Sequence, residues 1–232
     1  MTQSQQDNLQ SSFDKSLVSS YITDSVIDMV EISIDNLVDS SVIGDIPVVK
    51  TMIGLIRTGA NIQDRLFLKK IVSFLVSIDD ISDEKRKKLI EDIDNSRTYR
   101  VKVGEKLLYL IDACADHDSS QLLAILFSAL LREVISYDEF LKASAVIAKN
   151  QASTIREFLE SQNDTIDMYE NDVDIDTGLY TIHSENVSVS VRDNDDYDRG
   201  EQYIADVGDG GLWANPSRAG EILKIVFAED KK

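Results

Sequence analysis

The chain has 232 residues, with 42 Asp or Glu against 24 Lys or Arg, for a formal charge of −18 at neutral pH. Apolar residues make up 43% of it, enough for a sizeable core, which excludes disorder throughout. The acidic balance counts against nucleic acid as a partner, because phosphate contact needs lysine and arginine. A single cysteine excludes an intrachain disulfide and a cysteine-based zinc cluster.

Charge is spread unevenly. Residues 1–49 carry −7, residues 50–110 +4, residues 111–162 −4 and residues 163–232 −11. Acidic ends therefore flank a mildly basic middle, a polarity that can hold the parts together or present separate surfaces. The first twelve residues are rich in Gln and Ser and lack the basic cluster and apolar run of a secretory signal, so residues 1–12 read as a disordered N-terminus. The most apolar stretches are Ile46 to Ala60, interrupted by Lys50 and Arg57, and Leu122 to Leu131. Both fall short of the roughly 18 apolar residues of a membrane span. A cytoplasmic location is expected.

Residues 13–162 read as one helical domain. Ile27, Val30, Ile34, Leu37 and Val38 recur at helical spacing, and Asp24, Asp28, Glu31, Asp35 and Asp39 form an acidic ridge beside them. Gly44 and Asp45 break that helix, and Pro47 opens the next, which glycine ends near Thr58–Gly59. A helix follows with Phe67, Ile71, Phe74, Leu75 and Ile78 inward and Arg65, Lys69 and Ser73 on the opposite side. Ser82 caps a short helix to Asp94, whose Asp83 and Glu84 suit its positive end. Val103, Leu107, Leu110, Ile111 and Cys114 form one inward stripe, and Gln121 to Val134 is apolar on most sides, as a central helix is. Ser136-Tyr-Asp-Glu139 reads as a capping box opening one long helix from Phe140 to Leu159.

The pattern changes after Gln162. Residues 163–177 read as an acidic linker, and residues 178–232 as a small winged-like region of β-hairpin plus helix. Leu179 to His183 and Val187 to Val191 read as strands joined by a hairpin loop at Ser184-Glu-Asn186, and Tyr203 to Val207 as a third strand. Asn215 and Pro216 have the chemistry of a cap and first position for a last helix running to Phe227. The fold class is mainly α with a small α+β tail: a bundle-like domain, a hairpin or three-stranded sheet, and a terminal helix.

No catalytic, cofactor or metal residues are assigned. Asp172, Asp174 and Asp176 alternate as in a calcium loop, but Thr177 and His183 stand where an EF-hand needs glycine and an acid. The run Asp193, Asp195, Asp196 and Asp198 also fails that pattern, so both read as solvated loops, with room left for weak calcium binding of another kind. Cys114 lies close to His117, as a nucleophile and its base would. Its place on an apolar stripe favours an inert, buried thiol. Two surfaces are candidates for interaction. One is the acidic ridge from Asp24 to Asp39. The other is a basic face of Lys69, Lys70, Lys85, Arg86, Lys87 and Lys88, suited to an anionic membrane surface or to the chain's own acidic tail.

Ile46-Pro-Val-Val49, Ile56-Arg-Thr-Gly59, Ile62-Gln-Asp-Arg65 and Phe67-Leu-Lys-Lys70 together resemble a pattern in uncharacterised helical bacterial proteins, with an Ile-x-Asp-Arg-x-Phe-x-Lys-Lys segment. The stretch from Asn215 to Phe227 resembles closing helices in those proteins and also the end of a winged-helix domain. The resemblance implies a bacterial source and brings no activity. The leading expectation is a non-enzymatic interaction protein that binds another protein, its acidic surfaces steering a basic partner; a defence or toxin-regulating role is compatible. The alternatives are a peripheral membrane protein using helix 46–60 and the basic face, and a winged-helix-like regulator that binds DNA.

Overall fold

In the computed structural model, residues 3–18, 46–58, 62–78, 81–161, 165–169, 173–184, 189–193, 203–207 and 211–229 are described. The acidic ridge from Asp24 to Asp39 lies outside them. The described chain is mostly helical with a small antiparallel sheet and a terminal helix. Its helices are α1 (Gln3–Val18), α2 (Pro47–Arg57), α3 (Ile62–Val76), α4 (Asp83–Asp94), α5 (Val103–Ala113), α6 (His117–Leu131), α7 (Tyr137–Lys149), α8 (Ala152–Glu160) and α9 (Arg218–Glu229). Its strands are β1 (Ile166–Asp167), β2 (Tyr180–Ser184), β3 (Val189–Asp193), β4 (Tyr203–Val207) and β5 (Leu212–Pro216).

The N-terminus departs from the expected disorder. Leu9, Phe13 and Leu17 recur every fourth residue, and α1 buries all three against α2 and α5. The Gln and Ser between them supply the solvent face and two inward hydroxyls. Ser16 Oγ bonds back to Ser12 O and accepts from Val48 N at 3.0 Å, tying α1 to the start of α2. Pro47 occupies the first turn of α2, where its missing N–H costs nothing.

Helix α6 is the centre. It is buried on nearly every side, from Leu122 to Leu131, and packs on α3, α7, α9 and α8. A line of rings crosses the core at centroid separations of 5.8–6.3 Å, from Phe13 of α1 to Phe74 of α3, Phe127 of α6 and Phe140 of α7. It continues through Tyr137 to Tyr99, whose hydroxyl donates to Asp138. Burial pushes the Tyr137 hydroxyl up to about 12. On α3 the polar side is narrower than expected. Ser73 is fully buried, because α2, α5 and α6 all pack on this helix.

Both expected caps form: Ser82 accepts from Lys85 N, and Ser136 and Glu139 close a reciprocal capping box. The single helix expected from Phe140 to Leu159 is instead two. Asn150 is extended, and its amide donates to Val146 O at 2.8 Å and to Thr177 O at 2.9 Å. One side chain thus caps the end of α7 and holds a 3-10 turn, Ile175–Thr177, from the tail. Lys149 adds a bond to Asp176 O.

That turn and β1 replace the expected linker. Asp174 caps the turn by accepting from Asp176 N, so part of the alternating acidic run has a local structural role. The expected hairpin between the first two long strands does not form. β2 pairs with β5, and β1 pairs with β5 on its other edge, while β3 and β4 form a separate antiparallel ribbon. The reason is long-range: Ser217 N donates to Leu179 O at 2.8 Å, pinning the end of β5 beside the start of β2. Asn215 and Pro216 accordingly belong to β5, and Ser217 caps α9 by accepting from Gly220 N. Helix α9 then buries Ile222, Leu223, Val226 and Phe227 in the same core as the other helices.

Candidate functional site

The basic face expected from Lys69 to Lys88 is divided by the fold. Arg86 falls one turn before Ile90 and two before Ile93, on the inward side of α4. It is 4% exposed, and its guanidinium donates to Leu17 O at 3.1 Å and Ile81 O at 3.3 Å. It is therefore a buried clamp on the last turn of α1, where cations suit the helix dipole, and not part of a surface. Lys85, Lys87 and Lys88 stay exposed, with Lys87 paired to Glu91 along the helix.

Lys69 and Lys70 lie elsewhere, on a cleft of about 480 Å³ between α3 and the junction of α5 with α6. Leu66 and Phe67 form its apolar wall, and Asp112, Asp116 and His117 its far rim. The Lys70 ammonium donates to Asp112 O at 2.8 Å and to Cys114 O, neutralising the carbonyl end of α5. Asp116 caps α6 by accepting from Ser119 N at 2.7 Å, and His117 Nε2 lies 3.2 Å from Asp118 Oδ1. Lys70 and Asp116 are thus committed to ending one helix and starting the next.

Cys114, beside this cleft in sequence, is buried, and burial pushes its thiol up to about 11 despite the Ser120 hydroxyl and the Lys70 charge. The thiolate a nucleophile needs is scarce at neutral pH. The arrangement around Cys114 suits helix termination.

Helix α3 presents apolar surface at the edge of the cleft, with Leu66 in its lining and Ile62 outside it. Ile62 and Leu66 stand one helical turn apart on α3 and are 72% and 48% exposed. Exposed apolar side chains of this size beside a concave wall mark a contact surface. Neither was singled out from the sequence as a site. The signal was present, since Ile62 is the first residue of the Ile-x-Asp-Arg segment and Leu66 lies on the same face four residues on.

The apolar face of helix 46–60, needed by a membrane-opening reading, is in the core. Val48, Val49 and Met52 are at most 1% exposed. No helix among the described residues is long and apolar enough to cross a membrane. Compared with models of known families, with curated proteins and with solved structures, the chain has no match.

Proposed function

We propose that this protein works by binding another protein, and that the contact is centred on the outer face of α3 beside the cleft. The observation that carries this reading is the pair Ile62 and Leu66, left open to solvent in a chain whose other α3 apolar residues pack inward. A net charge of −18 supports a basic partner, because long-range attraction speeds encounter and disfavours acidic competitors. A bacterial source belongs to the same proposal, on the resemblance of the Ile62 to Lys70 segment.

The test is recovery of the tagged full chain from its native cells at low ionic strength, beside an Ile62→Asp, Leu66→Asp double variant. Both positions are exposed, so folding should be retained to within about 0.5 kcal/mol per site. A stoichiometric basic protein held by the parent chain and lost by the variant supports the reading. A partner retained equally by both places the contact elsewhere and overturns it.

A further inference from the structure

Strand β5 is the middle of the three-stranded sheet, and its side chains alternate between the two faces. Ala214 is fully buried on the inner face, which puts Trp213 and Asn215 together on the outer one. β2 sets His183 opposite Trp213. Thr165, His183, Ser184, Trp213 and Asn215 line a shallow concavity there of about 300 Å³, at the lower end for small-molecule sites. The Trp213 indole has room because residue 211 is glycine. A Cβ there would lie 3.0 Å from ring atom Cε2 and 3.3 Å from Cδ1, and closer still to Nε1. Asn215 has an unmet need. Its carbonyl oxygen is sealed from water and accepts no hydrogen bond among the described residues, a costly condition for a buried acceptor. The terminal torsion of an asparagine is soft, so a turn about it brings that oxygen to the concavity the residue already lines.

We propose that this outer sheet face binds a neutral saccharide, with a pyranose ring against Trp213 and its hydroxyls bonded to Asn215 and His183. The lining carries an indole, an imidazole, an amide and two hydroxyls, and no Asp, Glu, Lys or Arg, in a chain of which 28% is charged. An ionic ligand finds no Lys, Arg, Asp or Glu partner there, whereas an uncharged polar one finds both donors and acceptors. A pyranose has a face of C–H groups and a rim of hydroxyls. The C–H face suits the electron-rich face of an indole. A rim hydroxyl supplies the donor that Asn215 Oδ1 lacks, and other hydroxyls exchange bonds with the imidazole and the Thr165 hydroxyl. A nucleobase also stacks on an indole, but the phosphates that accompany it are repelled by a chain of net charge −18.

Trp213 is the chain's single tryptophan, so its fluorescence reports directly on this face. The probes are cellotriose, maltotriose and triacetylchitotriose, each titrated into the full chain to about 10 mM, since a shallow site of this size binds weakly. Adenosine is the comparison. At least one trisaccharide should change the emission saturably, and adenosine should bind more weakly than it does. Asn215→Ala should weaken that trisaccharide by about tenfold, as loss of a hydrogen bond in a site does. The same variant should leave the denaturant midpoint unchanged or raised, because it removes an unpaired polar group. An Asn215 that served only the fold would lower the midpoint instead. His183→Ala should also weaken binding. Trp213→Ala, followed by saturation-transfer NMR, should abolish it, with circular dichroism showing a retained fold. If Trp213→Ala fails to fold, the Asn215 and His183 variants still decide the matter. Absence of binding by all three trisaccharides overturns the proposal. So does a preference for adenosine, or binding that ignores both Asn215→Ala and His183→Ala. These outcomes do not bear on the α3 contact, which involves none of these residues.

Discussion

Among the described residues, the helical body within 3–161 and the strand-bearing tail within 165–229 solve burial in opposite ways. In the body each helix turns its own apolar stripe inward, and α6 is surrounded. In the tail the sheet contributes little. Thr181, Ile182, His183 and Ser184 of β2 are exposed, and Ala214 is the deeply buried residue of β5. What anchors the tail is α9, whose four buried residues share the body's core, together with Leu179 just before β2. The lesson is that the tail is an extension of the helical core that carries strands on its outside. A small sheet of this size could not bury enough apolar area to stand alone.

The sharpest contrast is between one ring in the body and one aliphatic residue in the sheet. Phe127→Ala removes the middle of the aromatic line between Phe74 and Phe140. It should cost about 3–5 kcal/mol in denaturant unfolding. Ile182→Ala, at a position 39% exposed, should stay within about 0.5 kcal/mol. A large loss from Ile182→Ala would mean that the sheet carries core energy after all.

Gly220 tests the joint between the two regions. A Cβ there would come within 2.5 Å of the Leu179 carbonyl oxygen and 2.8 Å of the Phe158 ring. Backbone cannot yield as a side-chain tip can, so Gly220→Ala should cost about 1–3 kcal/mol by forcing α9 off its seat. The chain's single tryptophan, Trp213, lies in β5 and reports the tail, while far-ultraviolet dichroism reports the helices. Coincident transitions that both move to lower denaturant establish one cooperative unit. A tryptophan transition that moves alone would separate the regions.

The same division governs what was legible beforehand. Helices α2 to α7 were visible because periodicity, caps and breakers are local, as at Pro47, Ser82 and Ser136. Helix α1 was obscured by composition: its Gln and Ser hid a spacing carried by three residues. The break at Asn150 was invisible because its cause, the Thr177 carbonyl, lies 27 residues away. Strand positions could be read from alternation, but strand pairing depends on where α9 docks. In the candidate site, a run of four basic residues looked like one surface. Helical geometry sends Arg86 inward while its neighbours stay out, and only the full face, Arg86 with Ile90 and Ile93, reveals it.

Arg86 also allows a test within the body of how such a buried cation works. Arg86→Lys keeps the charge but cannot reach Leu17 O and Ile81 O together through a planar fork. The loss should be about 1.5–3 kcal/mol, in keeping with hydrogen bonds to charged groups. Lys87→Gln on the same helix, with both partners of its ion pair about 60% exposed, should change stability by less than about 0.5 kcal/mol. Equal effects would mean that charge alone, wherever it sits on α4, is what matters.

The smallest expected effect has the most informative sign. Asp14 of α1 faces Gly104 in the first turn of α5. Burial raises its pKa above the ordinary carboxylate value, with Asp94 and Glu105 adding to the rise and Lys102 opposing it. The positive end of α5 would favour the charged form, and the raised pKa says that burial and like charge outweigh it. A group whose folded pKa is raised stabilises fully below its unfolded value, and that contribution is lost as pH climbs through the folded value. Asp14→Asn should therefore be more stable than the parent at neutral pH. The gain should be below about 1 kcal/mol, since Asp14 is only partly buried and solvent screens its charge. It should vanish in acid, where the parent carboxyl is protonated and neutral in both states. Glu139 offers the opposite sign. The Ser136 backbone and hydroxyl, with Arg218 of α9 bonding its other oxygen at 2.7 Å, hold its pKa down. Its contribution is present at neutral pH and is lost as the pH falls through that lowered value. A denaturation series from neutral to acid pH on Asp14→Asn and Glu139→Gln should give differences from the parent that shrink together but carry opposite signs. Differences of the same sign would mean that net charge, and not the two local environments, sets the pH dependence of this fold.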